Sequence, residues 1–246
     1  MDRIPACCNG PGAGASKTRQ GFSLTELIVV LAILAILAAL VLPNIRTAGP
    51  AARRTQCMNN IRNIALAIYS YKDAYQVFPP AYTVDANGKP LHSWRTLILP
   101  YLDQKALYEK IDLSKPWNDP VNAKLGETHV SVYTCPEARC SQNFTTYHAL
   151  VTSESCLRPG KSTDPSVFAD FAKTPIVIEV DSKQAVPWMS PEDAGGELWL
   201  SFGPKSDLPH AGGSLVAFAD GHAQFVSAEL PIDERRAMIA GLLKQK

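Results

Sequence analysis

From Leu27 to Leu42 the chain carries no polar side chain. Counted from Phe22, the apolar segment is 21 residues long. As a helix rising ~1.5 Å per residue it would cover ~32 Å, about the thickness of a bilayer core. Pro43 follows directly and is expected to kink or end that helix. The pattern then changes. Cys57, Ile61, Ile64, Ile68, Tyr71 and Tyr75 recur at alternating spacings of four and three, which predicts an amphipathic helix with one buried stripe. Ala48-Gly49-Pro50 is expected to bend or interrupt the link between the two helical segments.

Beyond the second helix the chain reads in short pieces. "FPPAYTVDANGKP" reads as a loop with a turn at Asn87-Gly88, and "SWRTLILPYLDQKALYEKI" as two short helices divided near Pro100. "HVSVYT", "TTYHALV", "PIVIEV", "ELWLSF", "SLVAFA" and "HAQFVS" are candidate strands bounded by Pro, Gly, Asp and Ser. The last two flank Asp220-Gly221, a pair that predicts a two-residue type I′ hairpin. Strands that follow a helical segment without alternating helices predict an α+β fold. A long N-terminal helix, apolar in its first half and amphipathic in its second, packs on a mostly antiparallel sheet.

Composition narrows this picture. A net charge of +1 gives no electrostatic pull toward nucleic acid. Six cysteines fall into two groups, Cys7 and Cys8 before the apolar run and Cys57, Cys135, Cys140 and Cys156 after it. In an exported domain the four downstream cysteines are candidate disulfide partners, and their three pairings stay open. Cys135 and Cys140 are near enough in sequence to close a small loop. No second ligand pair stands at zinc spacing, so no metal or other cofactor is expected. Glu192 and Asp193 are the remaining candidates for calcium, at a spacing that fits no firm pattern.

Glu26 is the anomaly, a carboxylate at the head of a hydrocarbon run, where acids are costly and usually have a partner. The surrounding stretch "KTRQGFSLTELIVVLAILAIL" places basic residues, Gly21, Phe22 and Glu26 in that order. It closely resembles the processing segment of type IV pilins and type II secretion pseudopilins. The resemblance implies a leader over 1–21, cleavage between Gly21 and Phe22 by a prepilin peptidase, and N-methylation of Phe22. It also implies a membrane helix over 22–43 with a kink at Pro43, and an assembly role for Glu26 as receiver of a neighbouring subunit's terminal amine. The region 44–246 becomes an exported pilin-like domain. Lys17 and Arg19 favour a cytoplasmic leader, whereas Arg46, Arg53 and Arg54 pull the other way.

A second motif lies near the C-terminus. In "HAGGSLVAFADGHAQFVS", His210 precedes Asp220-Gly221 by nine intervening residues. With "AARRTQCMNNIRNIALAIYSYKDAYQVFPP", "SWRTLILPYLDQKALYEKIDLSKPWNDP" and "VYTCPEARC", it resembles the H-x9-DG proteins of the domain of unknown function 1559 family, whose members are exported and pilin-like. His210, Asp220 and His222 are compatible with metal or acid–base chemistry, but turn and strand positions account for each of them. There is no P-loop, G-x-S-x-G, H-E-x-x-H or dinucleotide fingerprint.

The expectation is a non-enzymatic structural subunit of a pilus-like filament or type II secretion pseudopilus, without catalytic residues. Its partners are the prepilin peptidase, other pilin-like subunits and the inner membrane, with the globular domain extracytoplasmic. The rival is a membrane-anchored extracytoplasmic enzyme or ligand-binding protein that uses the segment only for export; a ligand-bearing cleft containing His210 would favour that rival, and a sheet surface with no convergent polar groups the structural subunit.

Overall fold

The computed structural model describes residues 24–239, leaving aside the side chains at 35, 37–48 and 50. Gly21 and Phe22 lie outside the described residues. Helix α1 runs from Leu24 to Tyr75, with Glu26 in its first turn and Lys72 in its last, the charge order that suits a helix dipole. Its helical range includes Pro43 and continues through Ala48-Gly49-Pro50, so the expected interruption is absent. The chain nonetheless divides into two compact units, Met1–Ala48 and Gly49–Lys246.

In the first unit, Leu24, Leu27, Ile28, Val29, Val30, Leu31, Ile33, Leu34 and Ile36 are all exposed. These positions cover every face of the helix, a distribution water does not favour. Among the described residues no helix is long and apolar enough to cross a membrane; the run Phe22–Leu42 extends beyond those whose side chains are described.

The second unit begins with the rest of α1. The chain leaves the helix through Gln76 at φ 59°. It then forms a hairpin of β1 (Tyr82–Val84) and β2 (Pro90–Ser93), so the "FPPAYTVDANGKP" loop contains a strand. Gly88, at φ 80°, supplies the left-handed turn residue. Short helices α2 (Trp94–Leu97) and α3 (Lys105–Tyr108) flank a 3-10 turn at Leu99–Tyr101 holding Pro100, as the sequence predicts. Helix α4 (Pro120–Gly126) follows, capped by Asp119.

Strands β3 (Phe144–Thr145), β4 (Tyr147–Val151), β5 (Pro175–Glu179), β6 (Val186–Pro187) and β7 (Ala194–Gly195) come next. They are followed by α5 (Gly196–Ser201), β8 (Gly213–Phe218), β9 (Ala223–Ser227) and α6 (Ile232–Ile239). The main sheet has the order β7-β4-β5-β8-β9, antiparallel except for β4 against β7. Side chains alternate across it as the pleat requires. Tyr147, Ala149, Val177, Leu215 and Ala217 join a core with Cys57, Ile61, Ile64 and Ile68 of α1. Leu150, Ile178, Val216 and Phe218 face the other way, against Trp199 and Phe202. Burying Ile61, Ile64 and Ile68 contributes at most about 5–9 kcal/mol. The stripe ends early, since Tyr71 is half-buried and Tyr75 exposed.

Three further expectations fail. "HVSVYT" forms a 3-10 turn at Ser131–Tyr133, because Asn60 Nδ2 on α1 donates to the carbonyls of Ser131 and Thr134 that a strand partner would have taken. "ELWLSF" is helix α5. Only Trp199 is fully buried there, and its indole donates to the Arg235 carbonyl of α6; a short apolar run does not reveal its period. The Asp220-Gly221 turn is not type I′. Gly221 N donates to Phe218 O and Phe218 N to His222 O, closing a three-residue loop in which Gly221 alone has positive φ, at 94°. That is a type I turn with a glycine bulge.

Candidate functional site

The disulfide joins Cys57 on the buried stripe of α1 to Cys135, with their Cα atoms 5.1 Å apart. Cys140 and Cys156 are unbridged among the described residues, so the small Cys135–Cys140 loop does not form. Cys57 reaches Cys135 because its stripe faces the core, whereas Cys140 lies half-buried at the rim.

His210 sits just before β8, nearly inaccessible, with Nε2 3.7 Å from Cys135 Sγ and 3.1 Å from Glu179 Oε2. Glu179 closes β5 and is fully buried. Burial raises its pKa, opposed chiefly by His210. Thr146 Oγ1 donates to Oε1 at 3.5 Å. His210 Nε2 and Oε2 are within ion-pair distance, although Oε2 makes no hydrogen bond among the described residues. Sequence reasoning paired no histidine with a cysteine; the fold does so across 75 residues.

The other half of the H-x9-DG motif is elsewhere. Asp220 Oδ1 accepts from the His222 amide at 3.1 Å and from His222 Nδ1 at 2.6 Å. The His222 ring stacks on Phe218. Strand β8 separates this turn from His210, a length of ~17 Å. A Cβ on Gly221 would lie 2.8 Å from Leu66 Cδ2, so the turn rests on α1. From Cys57 to Leu66 the helix rises ~14 Å, close to the length of the strand. The motif therefore marks the two ends of one strand laid along α1, and Arg54 of α1 lies over the Phe225 ring of β9. His210, Asp220 and His222 do not form one catalytic group.

A larger polar node was not foreseen. Arg95 Nη2 donates to Asp193 Oδ1 at 2.6 Å, both side chains being buried. Arg95 also donates through Nε and Nη2 to Tyr147 O. Asp193 further accepts from the Trp94 indole and the Ala149 amide. Burial pushes the Asp193 pKa up to about 6 against the pull of Arg95, leaving an ion pair at neutral pH. Asp193 faces the core and Arg95, not a calcium loop. The signal available beforehand was Arg95 itself, a lone cation inside "LHSWRTLIL".

A cleft of about 650 Å³ opens beside His210 between α1 and the loop before β8, with Arg54, Glu137 and Pro209 on its walls. Glu137 is engaged by Arg53 at 2.6 Å.

The family model described as Protein of unknown function (DUF1559) matches residues 46–175, just over half of the chain. The chain belongs to this family. A second model, the prokaryotic N-terminal methylation motif, matches residues 16–42 of this DUF1559 protein. The region matched contains Gly21, Phe22 and Glu26. Together they make the chain a type IV pilin-like exported protein anchored at a membrane. Pilin-like families are in general structural subunits rather than enzymes. No curated protein and no solved structure matches the chain.

Proposed function

We propose that this DUF1559 protein is a structural subunit made as a precursor, cut between Gly21 and Phe22 by a prepilin peptidase and N-methylated on Phe22. The segment 22–43 then holds it in the inner membrane as a single pass, with Pro43 relaxing the helix where it leaves the lipid. Subunits assemble through this helix into a pilus-like filament or secretion pseudopilus. The methylation motif over 16–42, leading into a helix whose described apolar side chains are exposed on every face, carries this reading.

Gly21 presents no side chain to a protease. Cleavage leaves an α-amine at the membrane boundary, and the Glu26 carboxylate of an adjacent subunit receives it. At ~4 Å and an effective dielectric of ~20 that attraction is ~4 kcal/mol before desolvation, against ~1 kcal/mol in water. It favours a fixed stagger between subunits. Glu26→Ala is expected to leave cleavage intact and to remove the subunit from filaments, read by immunoblot of sheared and membrane fractions. Unchanged incorporation would overturn the pairing role.

A ligand held in the cleft beside His210 would favour a second reading, a membrane-anchored ligand-binding or enzymatic domain that uses the segment only for export. Retention of wild-type assembly behaviour by a chain whose cleft is filled by Ala211→Trp supports the structural subunit. Loss of a cellular function on filling the cleft, in a chain that never enters sheared filaments, supports the second reading.

A further inference from the structure

The cluster Cys57, Cys135, Glu179 and His210 is built in a way that a structural disulfide does not require. Their four ligand atoms lie within 4.8 Å of one another, and all four residues are buried. This disulfide is flanked by a buried carboxylate and a buried imidazole. Asp193, an acid whose side chain is also buried, receives hydrogen bonds from a guanidinium, an indole and a backbone amide. Glu179 instead keeps one carboxylate oxygen without a hydrogen bond among the described residues, aimed at the ring nitrogen that also faces Cys135. A buried carboxyl oxygen left without a hydrogen bond is costly.

We propose that these four side chains form a mononuclear site for a zinc-class divalent ion, filled when the two cysteines are reduced and alternative to the disulfide. An ion ~2.3 Å from sulfur and ~2.0–2.2 Å from nitrogen and oxygen, at tetrahedral angles, sets its ligand atoms about 3.4–3.8 Å apart. The sulfur–nitrogen and nitrogen–oxygen distances here are 3.7 Å and 3.1 Å. To hold the ion the two sulfurs separate to about 3.8 Å, the nitrogen–oxygen pair opens by a few tenths of an ångström, and the widest spacing, now within 4.8 Å, closes toward the same range. Thiolate and imidazole ligands select zinc over magnesium or calcium. The cleft beside His210 offers the ion a way in.

The two states interconvert by a balanced exchange. A dithiol reductant gives two electrons and two protons to the Cys57–Cys135 bond and becomes a disulfide itself. Each resulting thiol releases its proton as the ion binds, so the ion is held by two thiolates, the Glu179 carboxylate and the neutral His210 Nε2. In the oxidised chain the sulfurs hold each other, and two ligands remain.

The test uses the full chain in detergent, with Cys7→Ala, Cys8→Ala, Cys140→Ala and Cys156→Ala so that only Cys57 and Cys135 remain. Reduced by a phosphine, exposed to Zn²⁺ and desalted, it is expected to retain one zinc per chain by elemental mass spectrometry; the oxidised chain retains none. Co²⁺ in place of zinc is expected to give thiolate charge-transfer absorption with tetrahedral visible bands. His210→Ala and Glu179→Gln each weaken zinc binding at least tenfold. Should the reduced chain lose its circular dichroism, recovery on adding Zn²⁺ supports the site and failure to recover counts against it. A folded, reduced chain that takes up no zinc overturns the proposal, as does equal uptake by the oxidised chain. Neither result bears on cleavage after Gly21.

Discussion

His148 lies within β4, paired with Ile178 of β5, and neither ring nitrogen has a hydrogen bond among the described residues. Burial, reinforced by the Arg95 charge, lowers its pKa from 6.5 to about 3. The unfolded chain takes up a proton at this histidine near pH 6.5, whereas the folded chain resists it down to about pH 3. Between those values acid favours unfolding. The neutral buried ring imposes no such penalty above pH 6.5, and the loss of stability grows as the pH falls toward 3. At pH 5 the unfolded side chain is about 97% protonated and the folded one about 1%, a difference of about 2 kcal/mol. His148→Leu keeps much of the volume and removes the titration. Urea unfolding at pH 7.5 and pH 5 is expected to show the wild type losing about 2 kcal/mol more than the variant over that interval. Parallel losses, within about 0.5 kcal/mol, would refute the reasoning. Burial lowers the pKa of His92 as well, so acid sensitivity that survives in the variant should fall further with His92→Leu.

Arg95→Met strands the buried Asp193 carboxylate and is expected to destabilise the chain by about 3–5 kcal/mol in urea unfolding. Arg95→Met with Asp193→Leu should recover much of that loss, and a single-variant loss below about 1 kcal/mol contradicts the role of the node. Gly221→Ala places a side chain at φ 94° against Leu66. Leu66 is at the surface and can swing aside, so backbone strain dominates and a loss of about 1–2 kcal/mol is expected in the melting transition.

Local pattern carried much of the architecture. The Cys57–Ile68 stripe is a helix because its spacing matches 3.6 residues per turn, and β4, β5, β8 and β9 lie where β-branched and aromatic runs stand between turn residues. The misses have local causes too. Leu198-Trp199-Leu200 is too short to show its period, and Asp220-Gly221 fits two hairpin loops that differ only in where the bulge falls. The candidate site was far less legible. Arg95 and Asp193 are 98 residues apart, and Cys57 meets Cys135 across 78. Glu179 and His210 are brought together only by β5 pairing with β8. No single window of sequence contains both members of any of these pairs. His210 and Asp220 share a motif yet stand at opposite ends of one strand, so proximity in sequence misstates their relation.

The most direct measurement is mass spectrometry of the N-terminal peptide of the protein isolated from its native cells. A chain that begins at Phe22 and carries one added methyl group on its α-amine is the predicted result. A chain that keeps Met1 and the whole leader contradicts it.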